Sequence, residues 1–556
     1  MMSAKQPEII EMDFTKLEAL LDRAEGTVEK EDFETIRTVF DSYYYLTQLI
    51  DKKSTTISRL RKLLFGASTE KTAAVLARIE AAVGNADNQQ PGASQDQESE
   101  PSKPPKPPRK KGHGRNGADD YPGANRVGVP HESLKPGDGC PECPRGTVYQ
   151  VSKPGILMRF VGQPPIQATI YELEKLRCNL CGTVFTAQAP ANVGQDKYDA
   201  TVASMIAALK YGKGFPFNRI DGLQEDVQVP LPASTQWEIV SAPVPQLEPV
   251  QQELIRQAAQ GEVVHNDDTT VKILELMGAG AKEQALAEAA EKDDQDQVVD
   301  PDRTGLFTSG IVATCEGRRI ALFFSGRKHA GENLMTILRR RASDLPPPIQ
   351  MCDALSRNMS GELKTIVANC LAHARREFVD LTETFPSECQ YVLEALRVVY
   401  RNDAIAREKE LSPEDRLKFH QAESGPTMER LRDWLRRQFD ERLVEPNSAL
   451  GAAINYLRNH WEKLTLFLRV AGAPLDNNIC ERALKKAILH RKNAYFYKTR
   501  NGAAVGDLYM SLIYTCELCG VSAFEYLTAL QRHAHQVAAA PAAWLPWNYR
   551  EQLASG

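Results

Sequence analysis

The sequence lacks three features that would each point to a particular class of protein. No apolar run reaches about 18 residues, which excludes an ordinary transmembrane helix. No apolar segment follows the N-terminal residues 1–7, so we expect no signal peptide and a cytoplasmic protein without a membrane partner. The formal net charge is −5, so the chain as a whole is not basic. Any nucleic-acid-binding surface must therefore be local.

The length of 556 residues is enough for three or four domains, and the sequence has no internal repeat. Composition and periodicity divide it into segments with different expected structures. The segments are a helical zipper-like region (1–84), a polar linker with a basic second half (85–128), a four-cysteine segment (129–190), a helical segment (191–258), a mixed α/β region (259–505, with a helical insert at about 377–470) and a C-terminal helical segment (506–556).

The first two segments each allow two interpretations. Apolar residues recur at heptad spacing from Ile36 to Leu64, which favours either a coiled coil between protomers or a helical hairpin packed on itself. The linker has almost no apolar residues, and it is expected to be disordered. Its basic half is either a solvated tether or an arm that touches phosphates.

Eleven cysteines in a chain without a secretion signal are unlikely to be a disulfide framework. Two Cys-x-x-Cys pairs are separated by 34 residues, a spacing typical of a zinc ribbon with a closed, structural Zn²⁺ site. The predicted zinc ligands are Cys140, Cys143, Cys178 and Cys181. A third pair, Cys516 and Cys519, has no partner pair and is interpreted as buried thiols.

The helical segment at 191–258 is compatible with a helix-turn-helix, although a generic helical connector fits the same pattern. Further along, 305–314 and 319–325 resemble a hairpin, and Ile349–Cys352 resembles a short buried strand. Residues 360–470 are predicted to be helical throughout. Strands interleaved with helices favour a mixed α/β core that carries a large helical insert.

Three acidic residues stand out by their positions. Asp267 lies on a predicted strand, Asp353 follows a second strand, and Glu481 lies in the first turn of a helix. Carboxylates from these positions can converge on a pair of Mg²⁺ or Mn²⁺ ions, which would activate an attacking oxygen and stabilise a leaving one.

Each acid also has a simpler explanation. Asp353 could cap a turn, and the Asn478-x-x-Glu481 pattern could be a capping box. Asp267 and Asp268 could be a solvated pair. The segment 481–500 favours the site, because it holds one acid among seven Lys or Arg residues. The predicted DNA contacts are Lys485, Lys486, Arg491 and Lys492, with Arg375 and Arg376 after the second acid.

These motifs, taken in order, resemble the insertion sequence 66 family of DDE transposases. The resemblance rests on 265-HNDDT-269, 352-CDA-354, 370-CLAHARREF-378, 475-LDNNICERAL-484 and 491-RKN-493. It implies a ribonuclease-H-like catalytic core with Asp267, Asp353 and Glu481 as the DDE triad, and Asp268 as the second choice for the first ligand.

The resemblance also implies a function. Such a protein would bind terminal inverted repeats and target DNA, cleave with two metal ions per active site and transfer the strand. It would act as a homo-oligomer, with small accessory proteins as possible partners. Two alternatives remain open at this point: a catalytically inactive regulator derived from a transposase, and a nuclease that hydrolyses DNA without strand transfer.

Overall fold

The computed structural model describes residues 75–76, 133–141, 145–149, 165–177, 184–190, 194, 196–278, 305–361 and 363–555. The heptad residues Ile36–Leu64 and the polar linker lie outside these ranges. Residues 282–302, which contain eight Asp or Glu residues, lie outside them as well. No helix within the ranges is both long and apolar enough to cross a membrane. Contacts divide the chain into two compact units; the smaller includes Ala374–Ser412 and Lys418–Asn459, and the larger includes the remaining residues from Gln90 onward.

The larger unit contains a five-stranded sheet with the order β5-β4-β3-β6-β7. Strand β3 is antiparallel to β4 and parallel to β6, and β7 continues the parallel half. The strands are β3 Val263–Thr270, β4 Phe307–Cys315, β5 Arg318–Gly326, β6 Ile349–Cys352 and β7 Ile366–Asn369. The N-terminal pair β1 Lys175–Arg177 and β2 Val184–Thr186 forms a separate antiparallel ribbon.

The hairpin of β4 and β5 confirms the prediction for this stretch. Its two-residue loop is Glu316-Gly317, with φ values of 50° and 76°. Positive φ at both positions is the type I′ geometry that matches strand twist, and glycine favours it at the second position.

One helix packs along the edge of this sheet that β5 forms. Helix α13, Arg500–Leu518, runs along β5 and presents polar side chains at four-residue intervals. Thr515 accepts from the Ala321 N–H at 3.0 Å, Ser511 from Phe323 at 3.0 Å and Asp507 from Ser325 at 2.6 Å. These bonds satisfy alternate N–H groups of an edge strand, which would otherwise be free to pair with another chain.

Helices before and after the sheet share one hydrophobic core with it. Ile206, Leu254, Ile311, Phe323 and Tyr526 are all buried in this cluster. The helices before the sheet are α1 Ala200–Ala207, α2 Phe217–Asp226, α3 Ala233–Ser241 and α4 Val244–Ala259. Those from the sheet onward are α5 Ala330–Leu338, α11 Trp461–Leu464, α12 Asn478–Ala494, α13, α14 Ala523–Arg532, α15 Ala534–Ala539 and α16 Tyr549–Ser555.

The smaller unit is helical. Its contacts include the Tyr391 and Trp434 rings, stacked 4.8 Å apart, and the His420 imidazole, 3.4 Å from the Asp403 carboxylate. The helices of this part of the chain are α6 Leu371–Asp380, α7 Pro386–Glu408, α8 Pro413–Glu423, α9 Gly425–Asp440 and α10 Ala449–Asn459.

One secondary-structure prediction is wrong. Residues 360–470 are not helical throughout, because Ile366–Asn369 form β7 and pair in parallel with β6. Four residues are too few to show the alternation of apolar and polar side chains that predicts a strand. The backbone of β7 bonds to β6 instead of forming the hydrogen bonds of a helix. The mixed α/β organisation is confirmed.

Candidate active site

Two of the predicted acids lie level with each other on neighbouring parallel strands, Asp267 within β3 and Asp353 directly after the end of β6. Strand β3 pairs with β6 in the register Val263 with Ile349 through His265 with Met351. The same offset brings Asp267 level with Asp353, which follows β6 directly. A crevice outside the carboxyl ends of parallel strands is a common place for a ligand site.

Glu481 reaches this pair because α12 approaches the sheet closely. Gly310 of β4 is the partner of Asp267 in the register, and a Cβ there would lie 3.0 Å from the Leu484 side chain. The Cys480 thiol donates to the Gly310 carbonyl at 3.1 Å. The absence of a side chain at position 310 therefore lets the first turns of α12, with Glu481, pack against the strand that faces Asp267.

The electrostatics of Asp267 show that the three carboxylates interact. Burial is the main cause that raises the pKa of Asp267, to about 7. The charges of Asp353, Asp268 and Glu481 raise it further, against one hydrogen bond from the Asp268 N–H that lowers it. Clustered carboxylates repel one another when all are ionised, and a bound cation would relieve that repulsion.

Asn358 joins the two strand acids, and sequence reasoning missed it. This residue is fully buried in the short 3₁₀ turn Ser356–Asn358. Its amide donates to Asp353 and, at 3.4 Å, to Asp267. The carbonyl of Asn358 in turn accepts from the side chains of Asn266 and Gln350, each at 2.7 Å. The turn is thus fixed to β3 and β6, and it holds both carboxylates in place.

His373 lies beside the third acid. Its Nε2 is 3.6 Å from Oε1 of Glu481, and both side chains are 25% exposed. His373 Nδ1 and Glu481 Oε1 are buried atoms that have no hydrogen-bond partner among the residues that the structure describes. Cys370, His373 and Glu481 bring ligand atoms within 4.8 Å of one another. The sequence contained His373 only as part of a motif, with no independent sign that it would meet Glu481.

A buried asparagine fixes the start of the helix that carries Glu481. The Asn477 amide donates to the Asn266 carbonyl at 3.1 Å, and its Oδ1 lies 3.1 Å from Nδ1 of His265. Burial lowers the pKa of His265 to about 4, so this imidazole is neutral and Nδ1 carries the proton that Asn477 accepts.

Asp268 faces away from the other acids, as neighbouring residues of a strand must. Its side chain is 1% exposed and lies 2.8 Å from His329 Nδ1 and 3.6 Å from the Arg357 guanidinium. The Ala330 N–H also donates to it at 3.4 Å. Asp267, and not Asp268, therefore shares the Asn358 amide with Asp353.

Of the three simpler explanations of the acids, the structure contradicts two and supports one. The Asp268 side chain is 1% exposed and Asp267 is half-buried, so the two acids are not a solvated pair. Asn477, not Asn478, is the N-cap of α12 and makes no side-chain cap bond, so Glu481 is not part of a capping box. Asp353 does accept from the Leu355 N–H, at 3.2 Å, so it stabilises a turn as well as lying in the cluster.

The predicted DNA contacts divide into exposed and engaged side chains. Lys485 and Lys492 are exposed on α12. Lys486 instead bonds Glu517 at 2.8 Å, and Arg491 bonds the Thr269 hydroxyl at 3.1 Å. Arg375 is buried, at 9% exposure, and Arg376 is half-buried.

Of the predicted zinc ligands, the structure describes only Cys140, which is partly buried and whose N–H donates to the Gly146 carbonyl at 2.8 Å. Cys143, Cys178 and Cys181 lie outside the described residues. In the third pair, Cys516 is buried, and Cys519 is partly buried with its thiol 3.7 Å from the Arg319 carbonyl.

The fold and the acidic cluster are those of a mixed α/β protein with a candidate cation site at the carboxyl ends of two parallel strands. The sequence pattern of the Transposase IS66 family matches residues 196–505, which is more than half of the chain. The chain therefore belongs to this family, and the membership suggests a transposase.

Three relatives from Sinorhizobium fredii are similar to the chain. The uncharacterized protein y4jD is 34% identical over 175 residues, which cover 31% of this chain and 34% of the relative. The uncharacterized proteins y4qI and y4hP are 26% and 24% identical over 376 and 403 residues, and the matches cover 66% and 69% of this chain and 66% and 68% of the relatives. The chain thus spans about a third of the first relative and about two thirds of the others. Their names assign no activity.

Proposed function

We propose that the protein is a DDE-class DNA transposase that cleaves and joins DNA at the ends of an insertion sequence. The observation that carries the proposal is the convergence of Asp267, Asp353 and Glu481. Burial is the main cause that raises the pKa of Asp267, and the charges of Asp353 and Glu481 raise it further. The sheet order supports a ribonuclease-H-like core, because three antiparallel strands are followed by two parallel ones. Asp267 lies on the central strand β3, and Asp353 directly follows its parallel neighbour β6.

The residues fit a pair of Mg²⁺ or Mn²⁺ ions. Carboxylate oxygens are the ligands that such hard cations prefer, and Oε1 of Glu481 is buried without a hydrogen-bond partner among the described residues. Asp267 and Asp353 would hold both ions, and Glu481 would complete one coordination sphere. When bound, the ions would lower the pKa of an attacking water or hydroxyl and neutralise the leaving oxygen.

The remaining parts of the proposal concern recognition. Lys485 and Lys492 face solvent on the helix that carries Glu481, and they would contact phosphates beside the reacting one. The zinc ribbon with Cys140, Cys143, Cys178 and Cys181 and the helix-turn-helix-like segment would recognise the terminal repeats. Homo-oligomers and small accessory proteins belong to the same proposal.

The test uses purified full-length protein, Mg²⁺ and a labelled duplex with the repeat that flanks its own gene. Wild type should cleave at the repeat end, and Glu481→Gln and Asp353→Asn should bind the duplex without cleaving it. Glu248→Gln, which changes an exposed acid on α4, is the matched control and should cleave normally.

Two outcomes would contradict the proposal. Binding without cleavage by wild type, with or without the accessory proteins, would favour the regulator. Cleavage without joined products in a strand-transfer assay would favour the hydrolytic nuclease.

A further inference from the structure

The backbone at the end of α12 adopts a conformation that L-residues rarely use. Tyr495 has φ 65° and ψ −42°, and the Phe496 N–H donates to the Ala494 carbonyl at 2.8 Å. This is a γ-turn with positive φ, the strained form of that turn. A bulky aromatic residue in such a turn is an outlier, and outliers of this kind cluster at ligand-binding sites.

The turn is fixed on both sides. Before it, Arg491 bonds the Thr269 hydroxyl at 3.1 Å, which ties the last turn of α12 to β3. After it, Tyr497 is buried, its N–H donates to the Lys272 carbonyl at 2.8 Å, and its ring stacks 4.4 Å from that of His490. The strained turn is therefore a rigid projection rather than a loose end.

The last two residues before Tyr497 are exposed aromatics. Tyr495 is 69% exposed and Phe496 is 45% exposed. Burying both rings would remove a large apolar area from water, so their exposure here needs a reason. The rigid turn keeps them from folding back onto the core.

The surrounding charge is positive. Residues 482–506 contain no Asp or Glu, and Lys492 and Lys498 are exposed on either side of the two rings. The nearby Glu275 accepts from the Arg500 N–H at 2.8 Å, which partly satisfies its carboxylate. Aromatic rings set among cations are the pattern of a surface that stacks nucleic-acid bases and contacts the adjoining phosphates.

We propose that Tyr495 and Phe496 form a stacking site for an unpaired DNA base near the cleaved end. The inference rests on the proposed function and adds a partner to it: a base removed from the duplex stack. Base faces are hidden inside a duplex, so the rings can stack only on a base that is flipped out or at a frayed end.

The helix sets the expected position of that base. Tyr495 follows Glu481 by fourteen positions, and the helix between them ends at Ala494, so the two lie about 21 Å apart along the helix axis at 1.5 Å per residue. At about 3.4 Å per nucleotide along a strand, this length corresponds to roughly six nucleotides from the reacting phosphate.

The test is a photo-crosslinking scan with the full-length protein and the terminal-repeat duplex. A single 5-iododeoxyuridine is placed in turn at each of about ten positions from the cleavage site, since this base crosslinks to aromatic rings stacked on it. The crosslinked peptide is identified by mass spectrometry. We expect a maximum about six nucleotides from the cleaved phosphate, in the peptide that contains Tyr495 and Phe496.

Variants separate stacking from a structural role. Tyr495→Ala with Phe496→Ala should lose the crosslink and bind the repeat duplex on the order of tenfold or more weakly. Tyr495→Trp should keep both. Leu443→Ala, which removes a 62% exposed apolar side chain from the helical insert, should behave as wild type.

The outcomes are distinguishable. Normal binding and cleavage by wild type, with no crosslink to either residue at any position, would overturn this inference and leave the proposed function intact. Failure of wild type to bind or cleave the repeat duplex would overturn the proposed function and the inference with it. Unchanged affinity of the double alanine variant would also overturn the inference.

Discussion

Asn358 shows how a single neutral side chain can prepare an acidic site. Its one amide group donates to both Asp353 and Asp267, and its carbonyl is held by Asn266 and Gln350. Two carboxylates that repel each other are thereby kept at one place before any cation arrives. Mutation of groups that orient the ligands of a metal commonly lowers the metal affinity roughly 10- to 100-fold.

Asn358→Ala should therefore raise the Mg²⁺ concentration needed for half-maximal cleavage about tenfold. Saturating Mg²⁺ should restore most of the rate, because the three ligands remain. The measurement is a titration of initial cleavage rate against Mg²⁺, with DNA affinity measured separately. Asn548→Ala, which removes an amide bonded to the Ala542 carbonyl, is the control and should titrate as wild type. An unchanged Mg²⁺ midpoint for Asn358→Ala would show that the amide has no positioning role.

Asp507 is a buried acid outside the candidate active site, and its ionisation should make the stability of the protein depend on pH. Burial raises the pKa of Asp507 to about 7, although two hydrogen bonds from Ser325 oppose the shift. The native state therefore binds more protons than the unfolded state between about pH 4 and pH 7. The contribution of Asp507 to stability is greatest at low pH, falls as the pH rises through this window and is fully lost above about pH 7.

Asp507→Asn should remove this dependence, since the amide can still accept from the Ser325 N–H without a charge. The free energy of unfolding of wild type, relative to this variant, should fall by about 1.4 kcal/mol per pH unit between roughly pH 5 and pH 7. Denaturant unfolding at several pH values measures the difference. Asp344→Asn, at an exposed position, is the control, and its free energy of unfolding should depend on pH as that of wild type does. The same pH dependence of the free energy of unfolding in Asp507→Asn and wild type would contradict the prediction.

At the scale of elements, the turn Ser356–Asn358 in the candidate active site depends on how closely helix α5 can approach it. A Cβ on Gly331, in the first turn of α5, would lie 2.1 Å from the carbonyl oxygen of Met359 and 2.7 Å from that of Arg357. Both atoms are backbone, so they cannot rotate away as a side chain would. The same turn carries Asn358, and any shift of the turn moves the amide that bonds the two acids.

Gly331→Ala is expected to destabilise the protein by about 1–3 kcal/mol, the usual cost of overpacking, and to raise the Mg²⁺ requirement as Asn358→Ala does. Gly222→Ala is the matched control within helix α2, because no atom lies within 4 Å of its added Cβ. That change should stabilise the protein by about 0.5–1 kcal/mol. Thermal or denaturant unfolding of both variants measures whether each change lowers or raises the free energy of unfolding. Equal changes in the two variants would contradict the expected clash at Gly331.

The elements also show what the sequence could and could not predict. The strand Ile349–Cys352 and the hairpin of β4 and β5 were predictable, since both are apolar runs bounded by turn residues. Strand β7 was not, because four residues without a pattern become a strand only through pairing with β6. The missing strand matters to the site, since Asn369 at its end donates to the Asp353 carbonyl at 3.3 Å.

The same limit applies to the site itself. Strand alternation shows that Asp267 and Asp268 point in opposite directions, but only the register with β4 and β6 decides which one meets Asp353. Asn358 and His373 had no signal of their own, because each becomes significant only through residues distant in sequence. The basic segment after Glu481 was visible, yet contacts alone separate exposed Lys485 from engaged Lys486.

At the scale of the whole molecule, the predicted zinc ribbon and the acidic cluster should be separable in function. A closed site of four cysteines has no open coordination position, so its Zn²⁺ would stabilise a fold and not take part in chemistry. The carboxylate cluster, in contrast, is built from oxygen ligands and lies far along the chain. Loss of zinc should therefore affect recognition of the repeat, whereas loss of an acid should affect cleavage alone.

We expect about one Zn²⁺ per chain in the purified protein, measured by elemental analysis after gel filtration. Cys178→Ser should lose this zinc and bind the repeat duplex more weakly even without Mg²⁺, because the folded ribbon would be lost. Glu481→Gln should keep both the zinc and the binding. Cys519→Ser, a change in the pair that has no partner, should retain full zinc content. Equal zinc loss in Cys178→Ser and Cys519→Ser would contradict the assignment of the ligands. Zinc loss without weaker binding would remove the ribbon from the recognition surface while leaving the catalytic proposal in place.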